Sequence, residues 1–468
     1  MPPYNLPMVS LHAADWAVFI LVLVATFAVV WWGNHRMTKQ SAGKDPGALE
    51  LLLMGRQLTL PIFVPTLMAT WYGGIFGVTA LSFERGIFNF VTQGAFWYLT
   101  YLIFAFVLVE RVRRYPATGL ADLAGQLFGS RAQRLTAGLA WINLLPIGYV
   151  AGLGIFLGTM LGMDWWWAAL IGMALMFGYA LMGGLRAVVF ADVVQCVVMV
   201  TAVWALVLVC WSDFGGMAFL KERLPTSHWD ATGGHAWGEL FIWGFIALGT
   251  LVDPSFHQRV QAAKDVRTAK WGIVLATVLW FCFDIATTIG GLYARAILPA
   301  AAPEGAYLAL GLQVLPAGLK GLFLAGILAT ILSTLDSYLF TAGATLSVDV
   351  FGKARPWQVK GAMLVTALIA WAMAPAFSGN IVTVWKTMGG LMSAALLPAM
   401  IVGLMRPGRI DERTFLLSVG AGVVCNLLHL VTGFAGAIDE FYLGLGGSLL
   451  GLIVGLLLKP SKSDSLSH

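Results

Sequence analysis

The chain has 468 residues, of which 59% are hydrophobic and only 11% charged, with a mean hydropathy of +0.82; soluble domains carry about a quarter charged residues, so this is a polytopic membrane protein. The net charge of +5 is scattered through short segments instead of gathered into one patch, which argues against a nucleic-acid partner. No stretch between apolar runs is long enough for a soluble catalytic module, and neither a Ser–His–acid set nor a phosphate-cradling Gly loop occurs in a suitable context.

In chain order, residues 1–15 lack Lys and Arg, so no cleavable signal is expected. Apolar runs of about 20 residues, the length that crosses a hydrocarbon core, are expected thirteen times: near 16–33, 58–82, 87–109, 135–161, 164–183, 187–211, 237–256, 270–297, 317–348, 361–377, 384–405, 414–433 and 439–458. With the N-terminus outside, the inner segments hold 22 of the 28 Lys and Arg, so the positive-inside rule predicts N-terminus out and C-terminus in. The outer segments 212–236 and 298–316 are expected to form at most short lids. The tail KPSKSDSLSH is expected to be disordered. Cys196, Cys210, Cys282 and Cys425 fall in or beside apolar runs without metal-ligand spacing and are expected to be reduced.

Two runs are interrupted. The second contains Ala69–Gly74, ATWYGG, and the seventh Ala247–Ser255, ALGTLVDPS, where paired glycines in one and Gly249 with Pro254 in the other weaken the helix at mid-span. Breaks at matching places in two halves point to a transporter of inverted repeats, whose unwound backbone frees carbonyls and helix ends for ions and substrate. The alternative is that Gly and Pro are simply common in membrane helices.

The run Ala325–Asp349 carries the most chemistry. Thr330, Ser333, Thr334 and Ser337 recur at i, i+3, i+4 and i+7, one hydroxyl face of a helix, with Asp336 beside them. Hydroxyls and a carboxylate are hard oxygen ligands suited to a small hard cation, and intramembrane acids mark ion or substrate paths. Asp192, facing the bundle, would join Asp336, Ser333 and Ser337 in a second cation site; the alternative is a rim pair with Arg186. Asp253, in the second break, would bind a cationic group or a proton, or act as a helix N-cap. Asp284 is a further intramembrane acid without an evident partner. Trp71 and Tyr149 would line a cavity by stacking or cation–π contact, or be packing residues.

Four motifs, GRQLTLPIFVPTLMATWYGG, YALMGGLRAVVFADVVQ, DPSFHQRVQAAKD and GLFLAGILATILSTLDSYLF, together resemble the sodium/solute symporter family, which includes sodium/glucose, sodium/proline and choline transporters. The resemblance implies an all-α membrane protein with a LeuT-like core of two inverted five-helix repeats. The core would occupy 58–405, with a first helix and inner loop in 1–57 and two peripheral helices and a tail in 406–468. It implies a sodium site of carbonyls at Ala69, Tyr72 and Thr330 and hydroxyls at Ser333 and Thr334. Some members hold a second sodium, which maps to Asp192, Ser333, Asp336 and Ser337; the sialic acid carriers have a serine where this chain has Asp336.

The solute cavity implied by the same matching includes Trp71, Gln93, Tyr149 and Asp253. Trp71 stands where proline carriers have a functional aspartate, which argues against proline, and Asp253 replaces an aromatic of the choline transporters. The function expected is sodium-coupled import of a small polar or amine-bearing solute by alternating access in a plasma membrane, the bacterial inner membrane above all. Sodium would be the coupling ion, the bilayer the surrounding medium, and no obligate protein partner is expected. The rivals are proton coupling on the same fold and, in another class, a channel or membrane-embedded sensor.

Overall fold

A computed structural model describes residues 11–40, 47–352, 355–377, 389–433 and 439–458. Among these the chain is helical throughout, with one isolated parallel bridge, Leu58 to Ala263, and no strand. Lipid offers backbone groups no partners, so apolar runs must satisfy their own hydrogen bonds as helices. The expected disordered tail lies outside the described residues.

The helices that position the site are, in order, α1 (Ala13–Gln40), α2 (Leu60–Ala69), α3 (Ile75–Arg85), α4 (Phe90–Arg113), α5 (Ser130–Asn143), α6 (Ile147–Leu161), α7 (Trp165–Ala180), α8 (Gly184–Phe214), α9 (Trp237–Ala247), α10 (Pro254–Ala262), α11 (Val266–Ile297), α12 (Pro303–Val314), α13 (Leu319–Ala344), α14 (Pro356–Met373), α15 (Gly390–Met405), α16 (Glu412–Thr432) and α17 (Glu440–Leu457). Nine helices among the described residues are long and apolar enough to cross a bilayer, ten if the pair Leu240–Val252 and Pro254–Ala262, bent by 43°, is one span. The structure therefore does not establish thirteen crossings. The difference lies in breaks and short elements: α2, α7 and α15 have only 10–17 residues, and the expected run 384–405 begins in residues outside the described set.

Position in the bundle follows from side-chain composition. The span Leu319–Val350, rich in Gly, Ala, Ser and Thr that allow close helix approach, has 89% of its apolar window buried, against 22% for Ala13–His35, whose Leu, Val and Trp face outward. α13 is thus the central post, packed on α8, α14 and α1. Its start is held by Asp15 of α1, whose carboxylate accepts the N–H groups of Gly318 (2.7 Å) and Gly321 (3.2 Å), an anion on unsatisfied donors at a helix N-terminus. The expected lid segments hold short helices, Met217–Arg223 and α12, the latter packed on α3.

The two interrupted spans, α2/α3 and α9/α10, meet where α2 begins and α10 ends. Leu58 N donates to Ala262 O (3.1 Å) and Lys264 N to Leu58 O (2.9 Å). Around this tie, Gln261 Nε2 donates to the carbonyls of Val112 and Tyr115, Arg113 donates to Gln261 O at 2.7 Å, and Thr341 donates to Gln258 at 2.9 Å. Every residue of α10 is buried.

Candidate functional site

The first break exposes carbonyls that an unbroken helix would spend on itself. α2 ends at Ala69, the chain unwinds through Gly73 and Gly74, and α3 begins at Ile75. Met68 O is taken by the Trp280 indole N–H (3.1 Å), whereas Ala69 O accepts the hydroxyls of Ser333 (2.9 Å) and Thr334 (3.3 Å). The same hydroxyls reach Thr330 O at 3.1 and 3.4 Å, and Gly73 N donates to Thr334 Oγ1 at 2.7 Å. A Cβ on Gly73 would lie 2.5 Å from that of Thr334, so only glycine permits this approach. Ala69 O, Thr330 O, Ser333 Oγ and Thr334 Oγ1 thus converge in a corner of neutral oxygens, fully buried. Tyr72 lies in the same unwound segment, its phenol turned to Asp284. Such oxygens suit a small hard cation. Among the described residues no group of three or more His, Cys, Asp or Glu is placed to hold a transition metal.

One turn further along α13, the stripe becomes charged. Asp192 of α8 accepts Thr66 Oγ1 at 2.5 Å, and Arg259 Nη2 of α10 lies 3.8 Å from Asp192 Oδ2. The same Nη2 donates to Ser337 Oγ at 2.6 Å, which is 3.3 Å from Thr70 Oγ1. Asp336 Oδ2 accepts the Tyr179 hydroxyl (2.7 Å), itself receiving Gln195 Nε2 (3.2 Å). Asp192, Asp336, Ser337 and Arg259 are all fully buried. The alternative partner for Asp192 is excluded by the structure: Arg186 pairs with Glu50. Arg259, counted with the inner-loop basic residues in the topology argument, is instead an interior residue, and the sequence reading missed it. Its surroundings in the sequence, FHQRVQAAKD, hold a second basic residue, Lys264, within five positions and give no sign of its burial.

Above the corner lies a cavity of about 170 Å³. Trp71, Gln93, Tyr149 and Asp253 all line it, together with Asp284 and Tyr98, and no Lys, Arg or His lines it among the described residues. Asp284 has partners that its local sequence did not reveal: the hydroxyls of Tyr72 and Tyr98 both donate to it, and Tyr72 is also 2.9 Å from Thr287 Oγ1. Asp253 does two things at once. It caps α10, accepting Phe256 N and Ser255 Oγ at 2.8 Å each, and it faces the cavity. Trp71 packs edge-on against Tyr101 and Phe256, its indole N–H unpaired, as is the Gln93 amide nitrogen. Gln93 sits in a π-helical stretch, Phe90–Ala95, a local widening of the kind found at functional sites. Cavity and corner touch, since a Cβ on Gly73 would come within 2.9 Å of the Tyr149 ring.

The other candidates stay outside this chemistry. The four cysteines are unbridged, and His228 and His257 are buried with ring nitrogens on the carbonyls of Phe83 and Leu251.

Comparison with known proteins places this geometry. The model of the sodium:solute symporter family matches residues 52–416. Sodium/glucose cotransporter 4 of Danio rerio is 24% identical over 91% of this chain and 73% of its own length. The sodium/pantothenate symporter of Escherichia coli (strain K12) is 26% identical over 82% and 88%. Among solved structures, a substrate-bound, outward-open Na+-coupled sialic acid symporter superposes with a TM-score of 0.76 at 19% identity, covering 95% of this chain and 97% of that one.

Proposed function

Since the chain belongs to the sodium:solute symporter family, and so is a multi-pass sodium-coupled transporter of the LeuT-like fold and not an enzyme, we propose that its solute is a small organic cation or amine. The observation that carries this is the cavity wall among the described residues: two buried carboxylates, Asp253 and Asp284, a set of aromatic rings, and no basic side chain. In a low-dielectric site an ammonium gains from both carboxylates and ring faces. An anion such as the pantothenate named for the bacterial relative would lie beside two carboxylates with no cation among the described lining residues to receive its charge. Trp71 and Gln93 offer unpaired N–H groups for polar parts of the solute.

In the cycle, sodium bound by Ala69 O, Tyr72 O, Thr330 O, Ser333 Oγ and Thr334 Oγ1 joins α13 to the first break. This favours the state that binds solute, by as much as the ion's affinity differs between the two states. Trp71 and Tyr149 lie within or against that break and feel its geometry. Inward opening separates α13 from α2, divides the ligand set and releases the ion. Each sodium moving inward contributes about 2.3 kcal/mol per 100 mV. Core 58–405 performs this movement, flanked by the helices of 1–57 and 406–468, in a cell membrane with the N-terminus outside and the C-terminus in the cytoplasm.

Thermal unfolding of the purified chain with quaternary and primary amines, monocarboxylates and sugars, with and without sodium, tests the reading. A ligand of the folded state raises the melting temperature. Amines are expected to do so, and more in sodium; stabilisation by carboxylates or sugars alone would overturn the solute class.

A further inference from the structure

We propose that the apolar groove between α4, α15 and α17 holds one acyl chain of an anionic phospholipid, whose phosphate is received by Arg111 and Arg406. The groove shares no lining residue with the solute cavity.

Its volume is about 460 Å³, and among the described residues every side chain that lines it is apolar. Three of its walls depart from the regular α-helix where they meet it. α4 is π-helical over Phe104–Leu108, the second break runs as a tight 3-10 stretch over Leu248–Val252, and α15 contains Pro398. Irregular stretches disturb the ridge-and-groove fit of neighbouring helices, and the space they leave is one that an apolar guest fills without leaving its lining short of contacts. A helix of the same length as the groove, about 10–12 Å across, would occupy about 1,000 Å³. A second copy therefore could not seat a helix there, whereas a hydrocarbon chain fits.

Depth and charge identify the guest. From Leu397 to Arg406 along α15, and from Ile103 to Arg111 along α4, the backbone rises about 12–14 Å, the depth of one leaflet of a hydrocarbon core about 30 Å thick. The arginines thus stand at headgroup level while the groove stands among acyl chains. α15 packs on the last turn of α4, so the two basic ends adjoin: residues 109–114 and 405–409 carry five arginines against one acid, Glu110. Arg113 is turned away, onto Gln261 O. Arg111 is folded over the groove, its guanidinium donating to the carbonyl of Val107, a lining residue; this uses one of its five N–H donors. Arg406 directly follows the lining residue Met405 and is exposed. Guanidinium groups match phosphate oxygens bidentately, and basic residues clustered at the end of apolar spans attract anionic lipid. The groove also backs onto the second break. Leu248 and Leu251 line it, whereas Gly249 and Thr250 of the same stretch line the solute cavity, so the bound chain packs on the reverse face of the cavity wall.

Native mass spectrometry of the purified full-length chain, delipidated in detergent and offered phosphatidylglycerol or phosphatidylcholine with identical acyl chains, tests the assignment. The native chain is expected to retain one phosphatidylglycerol and to prefer it by about tenfold, within the range that one or two basic residues contribute at an anionic membrane surface. Arg111→Gln with Arg406→Gln is expected to abolish the preference. Leu449→Trp, which fills the groove from an exposed position, is expected to lose the retained lipid. Equal retention of the two lipids by the native chain, an unchanged preference in the double arginine variant, or full retention in a folded Leu449→Trp chain would each overturn the proposal. A native chain recovered as a lipid-free dimer would put a second copy on this face and overturn it as well. Should Leu449→Trp fail to fold, the native preference and the arginine pair still decide.

Discussion

The two broken spans solve the same problem with opposite chemistry. At the first, Ala69–Gly74, the freed carbonyl of Ala69 meets two hydroxyls of α13, and no formal charge is involved. At the second, the acid Asp253 caps the restarted helix and Arg259 follows two turns later. Each break is pressed against a hydroxyl of a partner helix, Gly73 on Thr334 and Gly249 on Ser393, where an added Cβ would lie 2.7 and 2.1 Å from the oxygen. Neutral oxygens hold a cation in a way that a small helix separation undoes, which suits an ion bound and released in every cycle. Fixed charges suit the parts that stay: a capped helix and a charged cavity wall.

The comparison breaks most readily at the corner. Ser333→Ala with Thr334→Ala removes two of the proposed ligands, and at about 1–1.5 kcal/mol for each lost polar partner the sodium concentration for half-maximal uptake should rise about 100-fold with expression intact; unchanged sodium dependence would remove these hydroxyls from the site. Gly73→Ala forces a Cβ into Thr334. Overpacking of this kind costs about 1–3 kcal/mol, and sodium-dependent stabilisation in a melt should fall by about tenfold in apparent affinity. A native sodium response would show that the approach is looser than described.

At the charged side, Asp284→Asn should weaken amine binding by about tenfold while leaving sodium binding within about twofold, since it removes one of two cavity carboxylates. Equal losses for both ligands would make Asp284 a structural partner of Tyr72 and Tyr98 only. Trp71→Ala should cost solute affinity about three- to tenfold, the range of one cation–π contact, and affect sodium less; the reverse order would take Trp71 out of the cavity wall. Outside both breaks, Glu50→Gln removes the partner of Arg186 in a partly exposed pair and should change stability by under about 1 kcal/mol. A larger effect would mean that this pair shares in holding the helices around it together.

The legible parts of the molecule were those with a short-range physical signature. The hydroxyls at i, i+3, i+4 and i+7 necessarily share a face of α13, and paired glycines or Gly with Pro necessarily weaken a helix, so the stripe and both breaks could be read directly. Asp284 shows the limit. Its partners Tyr72 and Tyr98 are 212 and 186 residues away, and nothing in WFCFDIATTIGG indicates them. Arg259 was misplaced for a related reason: hydropathy assigns a cation to water, and only the pairing with Asp192 on another helix makes its burial tolerable. The number of crossings was also beyond composition, because a broken or short helix and a crossing helix can have the same apolar content.

The sequence by itself determined the solvent, the helical class, the hydroxyl face and the points where helices break, since each depends on the side chain and its neighbours within a turn or two. Tertiary structure alone decided which carbonyl meets which hydroxyl, which acid has an arginine and which has two phenols, and which faces form a cavity. Those outcomes depend on distances between helices far apart in the chain. In a low-dielectric interior such distances determine whether a buried charge is balanced or left for an ion or a solute to neutralise.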